Sequence, residues 1–295
     1  MTQRKEQTEG LLDPLGLMAA AARRAAVAAG LREGPQRLVA VFVVMPMSRS
    51  YPAAAAQLAR ELGASPRLTV VSPIGGNSPQ ALVNRAAGMI ARGELDRVLV
   101  AGGEAYCRRS ERPAGGESQL FQGLAEDLDG DEGVGATPLE ARHGMTLPIH
   151  GFPLLETALW AESGLGWAAY RQQLGDRWAA FSRAASVHPN AWLRAPLSAE
   201  EIVTPTETNR PIAFPYLKFL NPLIAVDLGA AVLLEAEGGP VRPAPGGVRP
   251  VYFWGGGTAV DRQRFLVERS SFTRSPALGA AAEQALRRAG LGLAA

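Results

Sequence analysis

The chain has 295 residues, of which 47% are hydrophobic and 20% charged, and its formal net charge is +2. These values are typical of a soluble globular protein with one large domain or two smaller ones, and they give no bulk electrostatic basis for binding nucleic acid or an anionic membrane. With a single cysteine, Cys107, the chain can form neither an intramolecular disulfide nor a cysteine-based zinc site. No uncharged apolar run approaches the ~20 residues that span a bilayer, so we expect a cytoplasmic protein without a membrane span.

The N-terminal part of the chain alternates between helical and strand patterns. Asp13 can cap a helix, Pro14 suits its first turn, and Gly30 is a stop signal. Continuous apolar runs rich in β-branched residues are typical of strands that are buried on both faces. The sequence predicts such strands at 38–45, 68–72 and 97–101, separated by helices at 53–62 and 79–92. This alternation predicts βαβ units and a layered α/β fold.

The middle of the chain combines a polar stretch with a helical, aromatic one. Residues 106–137 are polar and glycine-rich, which predicts a surface loop, and the acidic run within them lacks the spacing of a calcium loop. Aromatic residues recur near helical spacing at 143–192. We interpret them as two amphipathic helices packing on the sheet, in preference to an aromatic ligand cage. The three histidines have no close carboxylate partners, so no metal site is predicted.

The remaining chain returns to strand and helix patterns. Residues 221–234 predict a turn followed by a strand, and the Gly/Pro-rich residues 238–250 resemble a linker. A further strand is predicted to begin at 251–254. Ser275 and Pro276 signal the start of a last helix.

The turn between the strand at 68–72 and the helix at 79–92 has the layout that usually presents a reactive group. Gly75 and Gly76 permit a sharp turn, and Asn77 and Ser78 are candidate caps for the helix. Amides at this helix start could instead hold a polarised carbonyl oxygen or another anionic group. Glu104 follows a second glycine pair and either orients this elbow or, as we favour, is a structural carboxylate bound by local amides.

Several segments of the chain share a family pattern. They are GGNSPQA (75–81), LVAGGE (99–104), NRPIAFPYLKFLNPLIAVD (209–227), VDLGAAVLL (226–234) and SPALGAAAEQALRRAGL (275–291). Taken together and in order from about residue 11 to 292, they resemble the thiolase superfamily, in its thiolase-like branch that includes acetyl-CoA acetyltransferase-like and lipid-transfer-protein thiolases. The resemblance implies a layered αβαβα sandwich of two α/β halves, and acyl transfer between acyl-CoA thioesters through a cysteine, as in bacterial lipid metabolism.

The elbow departs from the family pattern at the nucleophile. If Gln80 is aligned with the glutamine of the family, Gly75 occupies the nucleophile position, where it cannot form a covalent acyl-enzyme. Ser72 and Ser78 are nearby, but neither has an evident base in the sequence. The β-ketoacyl synthases, which share the sandwich, need the same cysteine.

The resemblance nevertheless implies a set of substrate-binding residues. In the family the middle region covers the pantetheine of CoA, so His143 or His150 could line such a tunnel, or they could be structural. Arg85, Arg142 and Arg210 are candidates for the CoA phosphates, and the sequence does not choose among them. The elbow and glycine-pair residues implied for substrate binding are Gly75, Gly76, Asn77, Ser78, Gly102 and Gly103.

The chain is expected to be an acyl-CoA-binding homologue of acyltransferases with absent or altered catalysis. No permanently bound cofactor is expected; CoA or acyl-CoA would be a substrate or ligand, and the protein would be a homo-oligomer or a partner subunit. The alternatives are a non-catalytic half that docks a partner chain and a truncated gene product. In this interpretation residues 1–105 and 221–237 form an N-terminal half, 106–220 form an inserted loop and helical region, and 251–295 begin a truncated C-terminal half.

Overall fold

The computed structural model describes residues 1–3, 9–31, 38–107, 136–238 and 249–292. Most of the predicted surface loop and of the predicted linker therefore lies outside the described residues. The strands are β1 (Thr2–Gln3), β2 (Ala40–Val43), β3 (Leu68–Val71), β4 (Arg97–Ala105), β5 (Pro211–Ala213), β6 (Tyr216–Leu217) and β7 (Asp227–Glu235). The α-helices are α1 (Pro14–Ala28), α2 (Ala54–Glu61), α3 (Ser78–Ala91), α4 (Pro138–Arg142), α5 (Pro148–Ser163), α6 (Trp167–Val187), α7 (Ala199–Val203) and α8 (Pro276–Arg288).

The main sheet has the strand order β1-β7-β4-β2-β3. β2 lies parallel to both β3 and β4, as expected for βαβ units, and this part confirms the predicted α/β architecture. β7 pairs antiparallel with the whole length of β4, which makes the sheet mixed. At the other side of β7, Thr2 and Gln3 pair with Leu228 and Asp227.

The core lies on both faces of the main sheet. Every residue of β2 is buried, because alternate side chains of a strand point to opposite faces and both faces carry helices. Val41 and Val43 pack with Met18 of α1 and Leu58 of α2. On the opposite face, Phe42 packs with Leu82 and Ala86 of α3. The continuous apolar run that predicted β2 therefore reflects a strand between two helical layers.

Helix α1 approaches the sheet so closely that two of the strand positions beneath it must lack a side chain. A Cβ atom at Gly229 of β7 would lie 2.6 Å from the backbone oxygen of Leu17. One at Gly103 of β4 would lie 2.9 Å from the backbone oxygen of Pro14. The predicted start of this helix is confirmed, since the Asp13 side chain accepts a 2.8 Å hydrogen bond from the Gly16 amide. The glycines of β4 and β7 thus serve packing against α1.

The aromatic helices α5 and α6 form a separate cluster, and the prediction that they pack on the main sheet is wrong. The core of α6 packs against α7 and the turn at Lys218–Leu220, while α5 contacts β5 of a small antiparallel sheet formed with β6. Trp167 contacts the rings of Trp160 and Phe214 at centroid distances of 5.0 and 5.1 Å. The rings pack on one another within this cluster. No helix of the described chain is long and apolar enough to cross a membrane.

Residues 249–292, which we call the C-terminal arm, contain the confirmed last helix, α8, capped by the Ser275 side chain. The predicted strand at 251–254 is wrong: these residues pair with no strand of the described chain and are exposed. The chain is constrained instead by the glycines that follow, since a Cβ atom at Gly257 would lie 1.8 Å from the backbone oxygen of Ala281 in α8. Close backbone contact with a helix replaces strand pairing here.

A buried carboxylate joins the aromatic cluster to the small sheet. Glu156 of α5 accepts hydrogen bonds from the hydroxyls of Tyr170, at 2.5 Å, and Tyr216, at 2.7 Å. Burial and the hydrogen bond to Glu156 raise the pKa of Tyr170 to about 12, so its hydroxyl remains a donor throughout the neutral range.

We expect Tyr170→Phe to lower the free energy of unfolding by about 1–3 kcal/mol, because it removes a donor from a buried carboxylate oxygen. Denaturant unfolding measures this loss. Tyr252→Phe is the matched control, since Tyr252 is exposed, and it should leave stability unchanged. Equal effects of the two substitutions would contradict a structural role for this hydrogen bond.

Candidate functional site

The predicted elbow lies between the end of β3 and the start of α3. Its turn is closed by a 3.1 Å hydrogen bond from the Ser78 amide to the Gly75 oxygen. Gly76 and Asn77 are exposed, Gly75 is half-buried and Ser78 is buried. The elbow therefore presents backbone and one carboxamide at the protein surface, at the N-terminal end of a helix that packs on the sheet.

The backbone at Gly75 does not require a glycine. Its φ lies outside the left-handed region, and a Cβ atom there would meet only side-chain atoms: Asn77 Oδ1 at 2.7 Å and Ser78 Oγ at 3.2 Å. The tip of the Asn77 side chain therefore occupies the space that the Cβ atom of any larger residue at position 75 would need. Rotation of that side chain would clear it.

The elbow residues differ from expectation in how they cap α3. Asn77 occupies the cap position with a helical backbone (φ −87°, ψ −12°) and makes no capping hydrogen bond, so the predicted Asn77 cap is wrong. A capping side chain needs an extended backbone to turn onto the next amides, and that is missing here. Ser78 does not cap either, because its hydroxyl donates to the Pro73 oxygen at 2.8 Å.

The two serines near the elbow are engaged in structural hydrogen bonds. Both hydroxyls donate to the same acceptor, the Pro73 oxygen, at 2.8 Å. The Ser72 hydroxyl also accepts from the Met45 amide, which ties the elbow to the loop after β2. Within the described residues neither hydroxyl contacts a histidine or a carboxylate, so neither has the base that an activated serine needs.

The second glycine pair is part of a strand and forms no turn. Gly102 and Gly103 lie in β4, which continues to Ala105 because β7 pairs with it throughout. The Glu104 carboxylate accepts two 2.7 Å hydrogen bonds, from the Met47 and Ser48 amides. These amides belong to the loop after β2 and not to the elbow, so the geometry fits the structural carboxylate that we favoured.

The candidate histidines lie on the helical part of the chain. His143 is exposed after α4, and His150 is half-buried in the first turn of α5, where its Nδ1 is buried and makes no hydrogen bond within the described residues. Over the same residues, no hydrogen bond, ion pair or ring contact joins either histidine to the elbow. No group of three or more histidine, cysteine or acidic side chains among them could hold a metal ion.

One residue near the elbow was missed by sequence reasoning. Asn84 of α3 donates to the Gly257 oxygen at 3.1 Å and to Thr258 Oγ1 at 3.3 Å, and so binds the C-terminal arm to the elbow helix. Gln80 donates to Asn84 Oδ1 at 3.0 Å and orients it. A lone asparagine in a helical pattern carries no signal of a contact 173 residues away.

The main sheet with helices packed on both faces defines a layered α/β protein, and comparison with solved structures shows that its fold is thiolase-like. A monomeric SCP2-thiolase-like protein type 1 (STLP1) from Mycobacterium smegmatis aligns with a TM-score of 0.71 and 27% identity over 99% of this chain and 56% of its own. A chain of an Ltp2–ChsH2(DUF35) aldolase aligns with a TM-score of 0.70 and 19% identity over 98% of this chain and 67% of its own.

The structural comparison thereby confirms the resemblance to the thiolase superfamily, and the chain has a thiolase-like α/β fold. It spans little more than half the length of STLP1. No protein-family model matches the sequence, and no curated protein matches it.

We expect Gly75→Ala to change the free energy of unfolding by no more than about 0.5–1 kcal/mol, because only a rotatable side chain stands in the way. Gly103→Ala is the matched comparison. It should cost about 1–3 kcal/mol, because its Cβ atom meets the backbone of α1. Denaturant unfolding of both variants measures the difference, and a larger loss for Gly75→Ala would show that the elbow itself requires glycine.

Proposed function

We propose that this chain is a thiolase-like, acyl-CoA-binding homologue of acyl-CoA acyltransferases in which the covalent acyl-transfer step is absent or altered. One observation carries this proposal: when Gln80 is aligned with the family glutamine, the nucleophile position is Gly75, and a Cβ atom there would lie 2.7 Å from Asn77 Oδ1. CoA or acyl-CoA would be a ligand that exchanges freely, in a cytoplasmic protein. Residues 1–105 and 221–237 would form its N-terminal half, 106–220 an inserted region and 251–295 the start of a second half.

The exposed elbow supports binding of a thioester. Amides at a helix start carry partial positive charge, which favours a carbonyl oxygen or an anion. Gly76 leaves room for close approach, because a Cβ atom there would meet nothing within 4 Å. The Asn77 carboxamide has no hydrogen-bond partner in the described part of the chain and can both donate and accept. His143, which is exposed, and His150, which is half-buried, are candidates for contacts to the pantetheine.

The same geometry argues against an acyl-enzyme. Attack on a thioester carbonyl requires a nucleophile with a base beside it. Gly75 offers none, and the hydroxyls of Ser72 and Ser78 already donate to the Pro73 oxygen. The elbow would therefore bind and polarise a thioester without taking its acyl group.

We expect calorimetry to detect micromolar binding of CoA and acetyl-CoA to the chain. Gly76→Trp should abolish it by filling the elbow. Gly279→Trp is the control, because a side chain at Gly279 also meets nothing within 4 Å and belongs to α8, not to the elbow. Acetoacetyl-CoA with CoA should give no thioester turnover above blank. Binding that survives Gly76→Trp would refute the elbow as the ligand site, and robust turnover would refute the loss of chemistry.

A second candidate function is that of a subunit that docks a partner chain. Large apolar side chains are exposed on β7 and on the C-terminal arm, and exposed apolar patches of this kind mark interaction sites. The Ltp2–ChsH2(DUF35) aldolase, which is similar in fold, has two named components, and this supports a partner for the present chain. A partner would present an apolar surface to the exposed side chains of β7 and the arm. These side chains are Leu228, Val232, Val251, Tyr252, Trp254 and Leu278.

If this face is a docking surface, the chain on its own should self-associate through it. Sedimentation velocity should show concentration-dependent oligomers that Val232→Lys combined with Trp254→Ser converts to monomers. Val27→Lys is the control, since Val27 is an exposed apolar residue of α1 on the other side of the sheet. A folded chain that stays monomeric at all concentrations would count against docking.

A further inference from the structure

The C-terminal arm is attached to the rest of the molecule by very little buried surface. Of its residues 249–292, only Gly256 is buried, and neither α8 nor the turn at Leu266–Glu268 contains a buried residue. A segment that buries less apolar surface needs less free energy to open locally. The arm therefore depends on a few specific contacts to stay in place.

In one of these contacts, a buried carboxylate accepts hydrogen bonds from backbone amides of the arm. Glu140 of α4 is only 4% exposed, and its Oε1 accepts from the Val267 amide at 3.1 Å. Its Oε2 accepts from the Thr137 amide at 2.7 Å, which completes a capping box in α4. Burial alone would raise the pKa of Glu140, but hydrogen bonds from the amides of Thr137, Val267 and Leu266 outweigh it and hold this pKa below its ordinary value.

A side chain of the arm fits beside this carboxylate. A Cβ atom at Gly151 of α5 would lie 2.7 Å from Leu266 Cδ1, so Leu266 rests where that helix has no side chain. One turn of the arm is thus held by two contacts. Its Val267 amide makes a polar contact with Glu140 of α4, and its Leu266 side chain makes an apolar contact at Gly151 of α5. The arm is also attached through the Asn84 side chain of α3, which contacts Gly257 and Thr258.

We propose that the C-terminal arm is a strap that opens as a unit while the main sheet stays folded, and that Glu140 is its latch. The latched turn lies against the junction of α4 and α5, which carries His143 and His150. Opening the strap uncovers this junction. Its relevance to an acyl-CoA ligand rests on the proposed function; the latch itself does not.

Hydrogen exchange of the full-length chain, followed by mass spectrometry without ligand, tests the latch. In Glu140→Gln, peptides covering 262–272 should exchange about tenfold faster than in the parent chain, as expected when a charge-assisted hydrogen bond is lost. Peptides of β2 and β4 should be unchanged. Glu283→Gln is the matched control, an exposed carboxylate of α8 in the same arm, and it should change nothing.

Leu266→Ala provides a second variant that leaves α4 intact, in case Glu140→Gln does not fold. It should also speed exchange of the arm alone. The proposal is overturned if neither variant changes the arm, if arm and sheet peptides accelerate together in both, or if the arm of the parent chain is fully exchanged at the first time point. Because no ligand is used, failure here is distinct from failure of CoA to bind in calorimetry.

Discussion

The close contact of α1 with the glycines of β4 and β7 is the constraint on which the rest of the structure depends. Gly103 and Gly229 face each other across the two strands, and only glycine lets the backbone of α1 approach both. This contact joins the start of the chain to strands that follow much later in the sequence. It also fixes the end of β4, and therefore Glu104, whose carboxylate holds the loop after β2.

Compared with these glycines, Gly75 has a different status. Gly103 and Gly229 are required by backbone contacts that no rotamer change can relieve, whereas the neighbour of Gly75 is the rotatable tip of Asn77. The fold therefore does not impose a glycine at the elbow, and the glycine at the predicted nucleophile position is a property of the sequence alone. The surrounding hydrogen bonds, with both serine hydroxyls on Pro73, stabilise the turn without providing reactivity.

The sequence predicted those elements whose patterns are local. Buried apolar runs indicated β2, β3 and the first half of β4, and cap signals located α1 and α8. The predicted strand ended at residue 101, short of the second half of β4, because glycines are poor strand formers and the strand that pairs with them begins at Asp227. The predictions for the aromatic helices and for residues 251–254 were wrong for a related reason. A sequence pattern shows that a surface is apolar, but it does not show which other surface covers it. The Asn77 cap failed because its backbone angles are not encoded by residue type.

The exposed apolar side chains of the arm and its dependence on the proposed latch have one cause, which is that the arm buries very little surface. An arm with one buried residue gains little from the hydrophobic effect, so its position is set by polar contacts such as those of Glu140 and Asn84. A partner that covers Trp254 and Leu278 would bind the arm in one of its two positions more tightly, and that difference in affinity would shift the opening equilibrium. If the proposed strap carries a docking surface, partner binding would therefore be coupled to access at the α4–α5 junction, without any change in the main sheet.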